Sequence, residues 1–125
     1  MKKEISDSRM RFLVATDENT GSDVAFASFR FDLDFNEPVL YCYELQANSR
    51  LEGSGIKKFL MHILHLIAIK FAMHKVLITV TKNNERMMKY FVEQLNYKDN
   101  PSGPFGQSYK ILCYFVPRRD VKKVQ

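Results

Sequence analysis

Two cysteines are all that these 125 residues carry, and Cys42 and Cys113 each stand alone in a strand-like run. No C-x-x-C pair exists and no histidine lies nearby at ligand spacing, so buried, reduced thiols are expected in place of a disulfide or a zinc site. No stretch approaches the roughly 18–20 uninterrupted apolar residues of a membrane span. The opening segment, residues 1–8, carries charge with no apolar run behind it, which places the protein on the cytosolic or nuclear side. Both common nucleotide patterns are missing: there is no G-x-x-x-x-G-K-S/T, and Gly53-x-Gly55 lacks the third glycine of a dinucleotide fingerprint. Internal repeats and dividing linkers are absent too, so residues 1–125 are expected to form one domain.

What is present is ordinary for a globular protein, 46% apolar and 26% charged with a formal net charge of +5. The basic excess gathers at Pro117-Arg118-Arg119-Asp120-Val121-Lys122-Lys123. A solvated tail explains that cluster better than nucleic-acid binding, because no basic-aromatic interleaving accompanies it.

Hydrophobic period divides the chain. Residues 10–16 are β-branched and aromatic, and the polar run 17–23 ends them as a turn. From Val24 to Asp32, Val24, Phe26, Ser28, Arg30 and Asp32 alternate with Ala25, Ala27, Phe29 and Phe31, the period of a half-buried strand. A turn over 34–38 leads into a third strand, Val39 to Gln46. From Gly55 the period changes: Ile56, Phe59, Leu60, Ile63, Leu64, Ile67 and Phe71 form one stripe of an amphipathic helix running to about His74. The apolar run 76–80 suits a strand buried on both faces beside the third. Asn83-Asn84-Glu85 caps a second helix with Met88, Phe91, Val92 and Leu95 inward. A loop over 99–107 precedes a last strand, Ser108 to Val116. The order β-β-β-α-β-α-β predicts an α/β (α+β) fold, a mixed and mainly antiparallel sheet with helices on both faces.

The segment Leu51-Glu52-Gly53-Ser54-Gly55-Ile56-Lys57-Lys58 is a glycine-rich turn between a strand and an amphipathic helix. A helix N-terminus offers unpaired amides and the positive end of the macrodipole, so the turn can cradle a phosphate; a plain structural turn is the competing explanation. Set after an antiparallel meander and before a buried strand and an Asn-capped helix, it resembles the Gcn5-related N-acetyltransferases. Glu52-Gly53-Ser54-Gly55-Ile56-Lys57 aligns with that family's Arg/Gln-x-x-Gly-x-Gly/Ala, keeping the central Gly55 but with Glu52 for the first residue and Lys57 for the last small one. Val24 to Asp32, Leu40-Tyr41-Cys42-Tyr43-Glu44-Leu45-Gln46, Val76 to Val80 and Ser108-Tyr109 resemble more specifically the branch that acetylates histone N-termini (NatD). The resemblance spans about residues 5–112 and lacks that branch's first strand and early helices, as an N-terminally shortened acetyltransferase domain would.

The resemblance implies acetyl-CoA as co-substrate and no metal; His62, His65 and His74 have no third ligand in register. It implies a coenzyme site of Leu45, Gln46, Ala47, Gly53, Ser54, Gly55, Ile56, Lys57, Lys58 and Asn84. Glu44 suits a general base, its pKa raised by desolvation at the end of an apolar strand, unless it is an edge carboxylate paired with a nearby Lys or Arg. Tyr43 or Tyr41 could protonate the leaving thiolate, or pack in the core. Strict alternation turns Glu44 away from both tyrosines, so a β-bulge near Leu45 is expected, with the Leu45 amide as oxyanion donor. Acceptor contacts fall on Asp32, Tyr43, Thr79, Ser102 and Tyr109, and Asp32, Asp34 and Glu37 form an acidic patch that favours a cationic peptide. The implied activity is transfer to the N-terminal amine of histone tails beginning Ser-Gly-Arg-Gly by a monomer in nucleus and cytoplasm, without nucleic acid or membrane. An impaired, non-catalytic interaction module of the same fold, or transfer to a lysine or small amine, are the alternatives.

Overall fold

The computed structural model describes residues 9–100 and 109–117. Six strands form one sheet in the order β1-β2-β3-β4-β6-β5. They are β1 Arg11–Thr16, β2 Asp23–Asp34, β3 Glu37–Ala47, β4 Lys75–Thr81, β5 Lys98–Asp99 and β6 Tyr109–Phe115. All neighbours pair antiparallel except β3 and β4, which run parallel. Helix α1, Ile56–Lys70, makes the crossover that a parallel pair requires. Helix α2, Glu85–Lys89, continues into a π-helical turn over Tyr90–Gln94.

The β2–β3 hairpin is tighter than its sequence suggests. Phe35 and Asn36 both take left-handed backbone, φ 51° and 67°, and Asp34 pairs directly with Glu37. A two-residue loop of that geometry matches strand twist, so pairing reaches two residues closer to the tip on each side than the composition of 34–38 predicts. Helix α1 is shorter than its apolar stripe. Ala72 at φ 58° reverses the chain, and the Met73 amide donates to the Ala68 carbonyl at 2.9 Å, closing the helix four residues before His74.

One core cluster unites the helices with the sheet. Leu60, Met61, Leu64 and Ala68 of α1 pack with Leu40 and Cys42 of β3, Val76 and Ile78 of β4, Leu112 of β6 and Phe91 after α2. Each fully buried aliphatic side chain among them contributes about 2–3 kcal/mol. The observed stripe is rotated from the expected one: Phe59 and Phe71 are 56% and 52% exposed, while Met61 and Ala68 take the inner positions. Val92 likewise faces outward, because the π turn inserts a residue and shifts the phase after Phe91. Both helices contribute to this same cluster, so among the described residues they share one face of the sheet, a correction to the expected helices on both. On the opposite face a smaller cluster joins Val39, Leu77 and Cys113 with Tyr41 and Ile111.

Candidate functional site

The site begins where β3 leaves β4. Pairing runs Val39↔Lys75, Leu40↔Val76, Tyr41↔Leu77 and Cys42↔Ile78 and then stops, although β3 continues to Ala47 and β4 to Thr81. The register on the other side explains the parting. Ser28 pairs with Glu44 and Phe29 with Cys42, leaving Tyr43 as an extra residue. This is a β-bulge, found at Tyr43 where one was expected near Leu45. Cys42 and Leu45 are both buried in the helix-side core, which a regular strand cannot do for residues three apart. Tyr43 and Glu44 are in consequence both exposed, and the Tyr41 and Tyr43 rings lie 4.7 Å apart.

Asn48 ends the strand by accepting the Arg50 amide at 3.0 Å, starting a 3-10 turn over Ser49–Leu51. The glycine turn follows. Gly53 and Gly55 stand at φ 81° and 90°, a conformation costly for a residue with a Cβ. A Cβ built on either would meet nothing within 4 Å, so backbone angle and not crowding requires glycine, and the space beside the turn is open. Ser54 Oγ accepts the Ile56 amide at 3.3 Å, and helical bonding starts with the Phe59 amide donating to the Gly55 carbonyl at 2.9 Å. The amides of Lys57 and Lys58 lie before that first bond, where a helix offers them no acceptor.

These amides border a cavity of about 630 Å³ between the two helix N-termini. Ala47, Gly53, Gly55, Ile56, Lys57, Lys58 and Asn84 line it, joined by Leu51, Glu52, Arg86, Met87, Tyr90 and Gln94. Asn84 caps α2, its Oδ1 accepting the Met87 amide at 3.2 Å. Arg86, Tyr90 and Gln94 were not anticipated; their i, i+4, i+8 spacing puts them on one helical face, a signal available without the fold. The Tyr90 hydroxyl is buried with no hydrogen-bond partner among the described residues, and burial raises its phenol pKa above the usual value.

The cavity suits an elongated phosphate ester. Lys57, Lys58 and Arg86 line it with the single carboxylate of Glu52, and Lys57 Nζ lies 3.9 Å from Glu52 Oε2. Gly53, Gly55 and the amides of Lys57 and Lys58 would hold the pyrophosphate of a coenzyme, with the cations neutralising it. Of the remaining residues proposed for that site, Leu45 turns its side chain into the core, and Gln46 borders a separate apolar hollow with Phe12, Val14 and Phe26.

The acceptor-side residues lie away from the helices. Tyr41 Oη and Thr79 Oγ1 are 2.7 Å apart. Glu44 is exposed, so the desolvation expected at the end of an apolar strand is not there. The acidic patch is also not free. Asp32 pairs with Arg30 at 2.9 Å, Asp34 with Lys75 at 3.6 Å, and Glu37 stands 3.8 Å from His74 Nδ1. Asp34 and Glu37 sit at the hairpin tip, and the length of β3 places them on the order of 30 Å from the cradle. The Tyr109 backbone pairs with Thr81; Ser102 lies outside the described residues.

No protein-family model matches the chain. Its fold is that of the Gcn5-related acetyltransferases. The ribosomal-protein-S18-alanine N-acetyltransferase of Escherichia coli superposes with TM-score 0.74 at 15% identity, over 95% of this chain and 77% of that one. Arabidopsis thaliana NAA60, in complex with a bisubstrate analogue, gives 0.71 at 12% identity, over 91% and 79%. The PaiA N-acetyltransferase of Thermoplasma acidophilum, in complex with coenzyme A, gives 0.69 at 15% identity, over 91% and 65%. At such identities the shared property is the fold.

Proposed function

We propose that this chain is an acetyl-CoA-dependent N-acetyltransferase whose acceptor is the N-terminal amine of a peptide. One observation carries this most: Ala47, at the end of β3 that has parted from β4, and the glycine turn line one cationic cavity, in a fold shared with N-terminal acetyltransferases. Bound there, acetyl-CoA supplies the thioester from which the acetyl group is transferred.

The chain's own groups divide the remaining work. An α-amine with pKa about 7.7–8.0 is partly neutral near pH 7, so Glu44 need only be a modest base to take its proton. The Leu45 amide, next to the bulge, stabilises negative charge developing on the carbonyl oxygen. Tyr43, with Tyr41 packed beside it, returns a proton to the leaving sulfur. Direct attack by the amine requires no covalent enzyme intermediate.

For the acceptor we propose histone-type tails beginning Ser-Gly-Arg-Gly, met by a monomer in nucleus and cytoplasm; the Tyr41-Cys42-Tyr43-Glu44 segment supports that choice. Calorimetry with acetyl-CoA and desulfo-CoA, then thiol release on Ser-Gly-Arg-Gly peptide and its N-blocked form, tests it. Binding of both coenzymes and turnover of the free peptide alone are expected. Equal turnover of the blocked peptide would reassign the acceptor to a lysine. The Glu52–Lys57 pair at the cavity wall favours one competing role, a binding module with a weakened coenzyme site, and binding without thiol release would establish it.

A further inference from the structure

Asp32 was expected to meet a cationic acceptor, yet both of its carboxylate oxygens are engaged within the chain. Oδ2 accepts Arg30 Nε at 3.2 Å and Arg30 Nη2 at 2.9 Å. Oδ1 accepts the Leu33 amide at 2.8 Å. The guanidinium so held lies 5.3 Å from the centre of the Tyr43 ring, and only 18% of the Arg30 side chain is exposed. Tyr43 in turn packs against Tyr41 at a tilt of 35°, and the Tyr41 hydroxyl bonds Thr79. A continuous ladder therefore crosses β2, β3 and β4: carboxylate, guanidinium, two phenol rings and a threonine.

Pairing and alternation bring this ladder together. Arg30 pairs with Tyr41 in register, and Tyr43, two residues on, shares that face by simple alternation. A planar cation above its face helps to hold the Tyr43 ring, since a guanidinium over an aromatic ring contributes about 0.5–1 kcal/mol when exposed and more when desolvated. Charge-assisted bonds to Asp32 keep that cation from swinging away.

We propose that Asp32 is a positioning residue which acts through Arg30, holding the guanidinium over Tyr43 and so fixing the phenol beside the β3–β4 gap, and that it does not select the acceptor for positive charge. This rests on the transferase role given to Tyr43 above. Misplacing a proton donor by a fraction of an ångström lowers turnover far more than binding, so the two possible roles of Asp32 leave different kinetic signatures.

The test uses the full chain with Asp32→Asn, Arg30→Met, the double variant and Arg30→Lys, each checked for an intact thermal transition. Measured are kcat and KM on Ser-Gly-Arg-Gly and on Ser-Gly-Gly-Gly peptides, together with the carbon-13 ring signal of Tyr43 assigned through Tyr43→Phe. Asp32→Asn and Arg30→Met should each lower kcat about five- to twentyfold and change either peptide KM less than about twofold. The double variant should be no worse than Arg30→Met, Arg30→Lys should recover part of the loss, and both single variants should move the Tyr43 signal. A raised KM confined to the arginine-containing peptide, additive with Arg30→Met, would make Asp32 a direct acceptor contact and overturn the proposal. If the parent chain binds no coenzyme or turns over nothing, the transferase role fails separately, and the Tyr43 signal decides: moved by both variants it upholds the anchor, unmoved it overturns it.

Discussion

Tyr90 is the residue at which stability and ligand binding can be separated. A buried hydroxyl without a partner costs about 1–3 kcal/mol of lost hydration, and the residue that carries this one lines the cavity. A ligand amide entering there would supply the missing bond. Tyr90→Phe should therefore melt at the same or a higher temperature, by up to about 1 kcal/mol, and bind acetyl-CoA about five- to tenfold more weakly. Thermal melts and calorimetry on the same samples check both halves, and weaker folding with unchanged affinity would refute the prediction. The sequence makes individual roles legible only in part. Gly53 and Gly55 stand out because few other residues tolerate their backbone, and Asn84 because a cap precedes a helix. Tyr90 looks like any helical aromatic until the cavity is seen. Asp32 looks like a free acid because nothing in the alternation of β2 shows that Arg30, two residues earlier on the same face, folds back over it.

Among the elements, the bulge in β3 decides whether there is a gap at all. Alternation in residues 41–46 already conflicted with a shared face for Tyr43 and Glu44, which is why an irregularity could be expected near Leu45. Its position at Tyr43 was not legible, since it depends on how β2 pairs across the sheet. Deleting Tyr43 restores a simple register in which Cys42 and Leu45 still face the core with Glu44 outward between them. That variant should keep its thermal transition, lose thiol release with its proton donor, and bind desulfo-CoA at least tenfold more weakly because β3 no longer splays from β4. Calorimetry isolates the splay from the lost phenol, and undiminished binding would show that the cavity does not need it. Helix phase was less legible for the same kind of reason. The π turn at Tyr90–Gln94 and the reversal at Ala72 follow from packing and capping, and apolar spacing continues straight through both.

For the molecule as a whole, the parallel crossover followed from element order alone, because α1 separates two strands that can pair only in parallel; the short edge strand β5, and with it the place of β6 between β4 and β5, did not. What the order did not reveal is how the C-terminal strands are fastened to α1. His65 stacks on Tyr114 of β6 at 4.1 Å and 3°, and its Nε2 lies 2.7 Å from the Tyr97 hydroxyl. Tyr97 is itself 1% exposed and packs edge-on to Phe91. Desolvation, with a smaller repulsion from His62, lowers the His65 pKa from 6.5 to about 4. Unfolded, the imidazole takes a proton near pH 6.5; folded, it resists until about pH 4. The stability this stack contributes is thus complete above pH 6.5, declines as pH falls between those values, and is fully lost below about 4. With allowance for the ring's partial exposure the loss is about 2 kcal/mol, or roughly 6–10 °C in melting temperature. His65→Gln keeps a polar partner for Tyr97 but cannot titrate, so it should melt lower than the parent at pH 7 and lose less between pH 7 and 4.5. Parallel melts across that window measure the difference directly. Equal losses in the two proteins would remove His65 from the account.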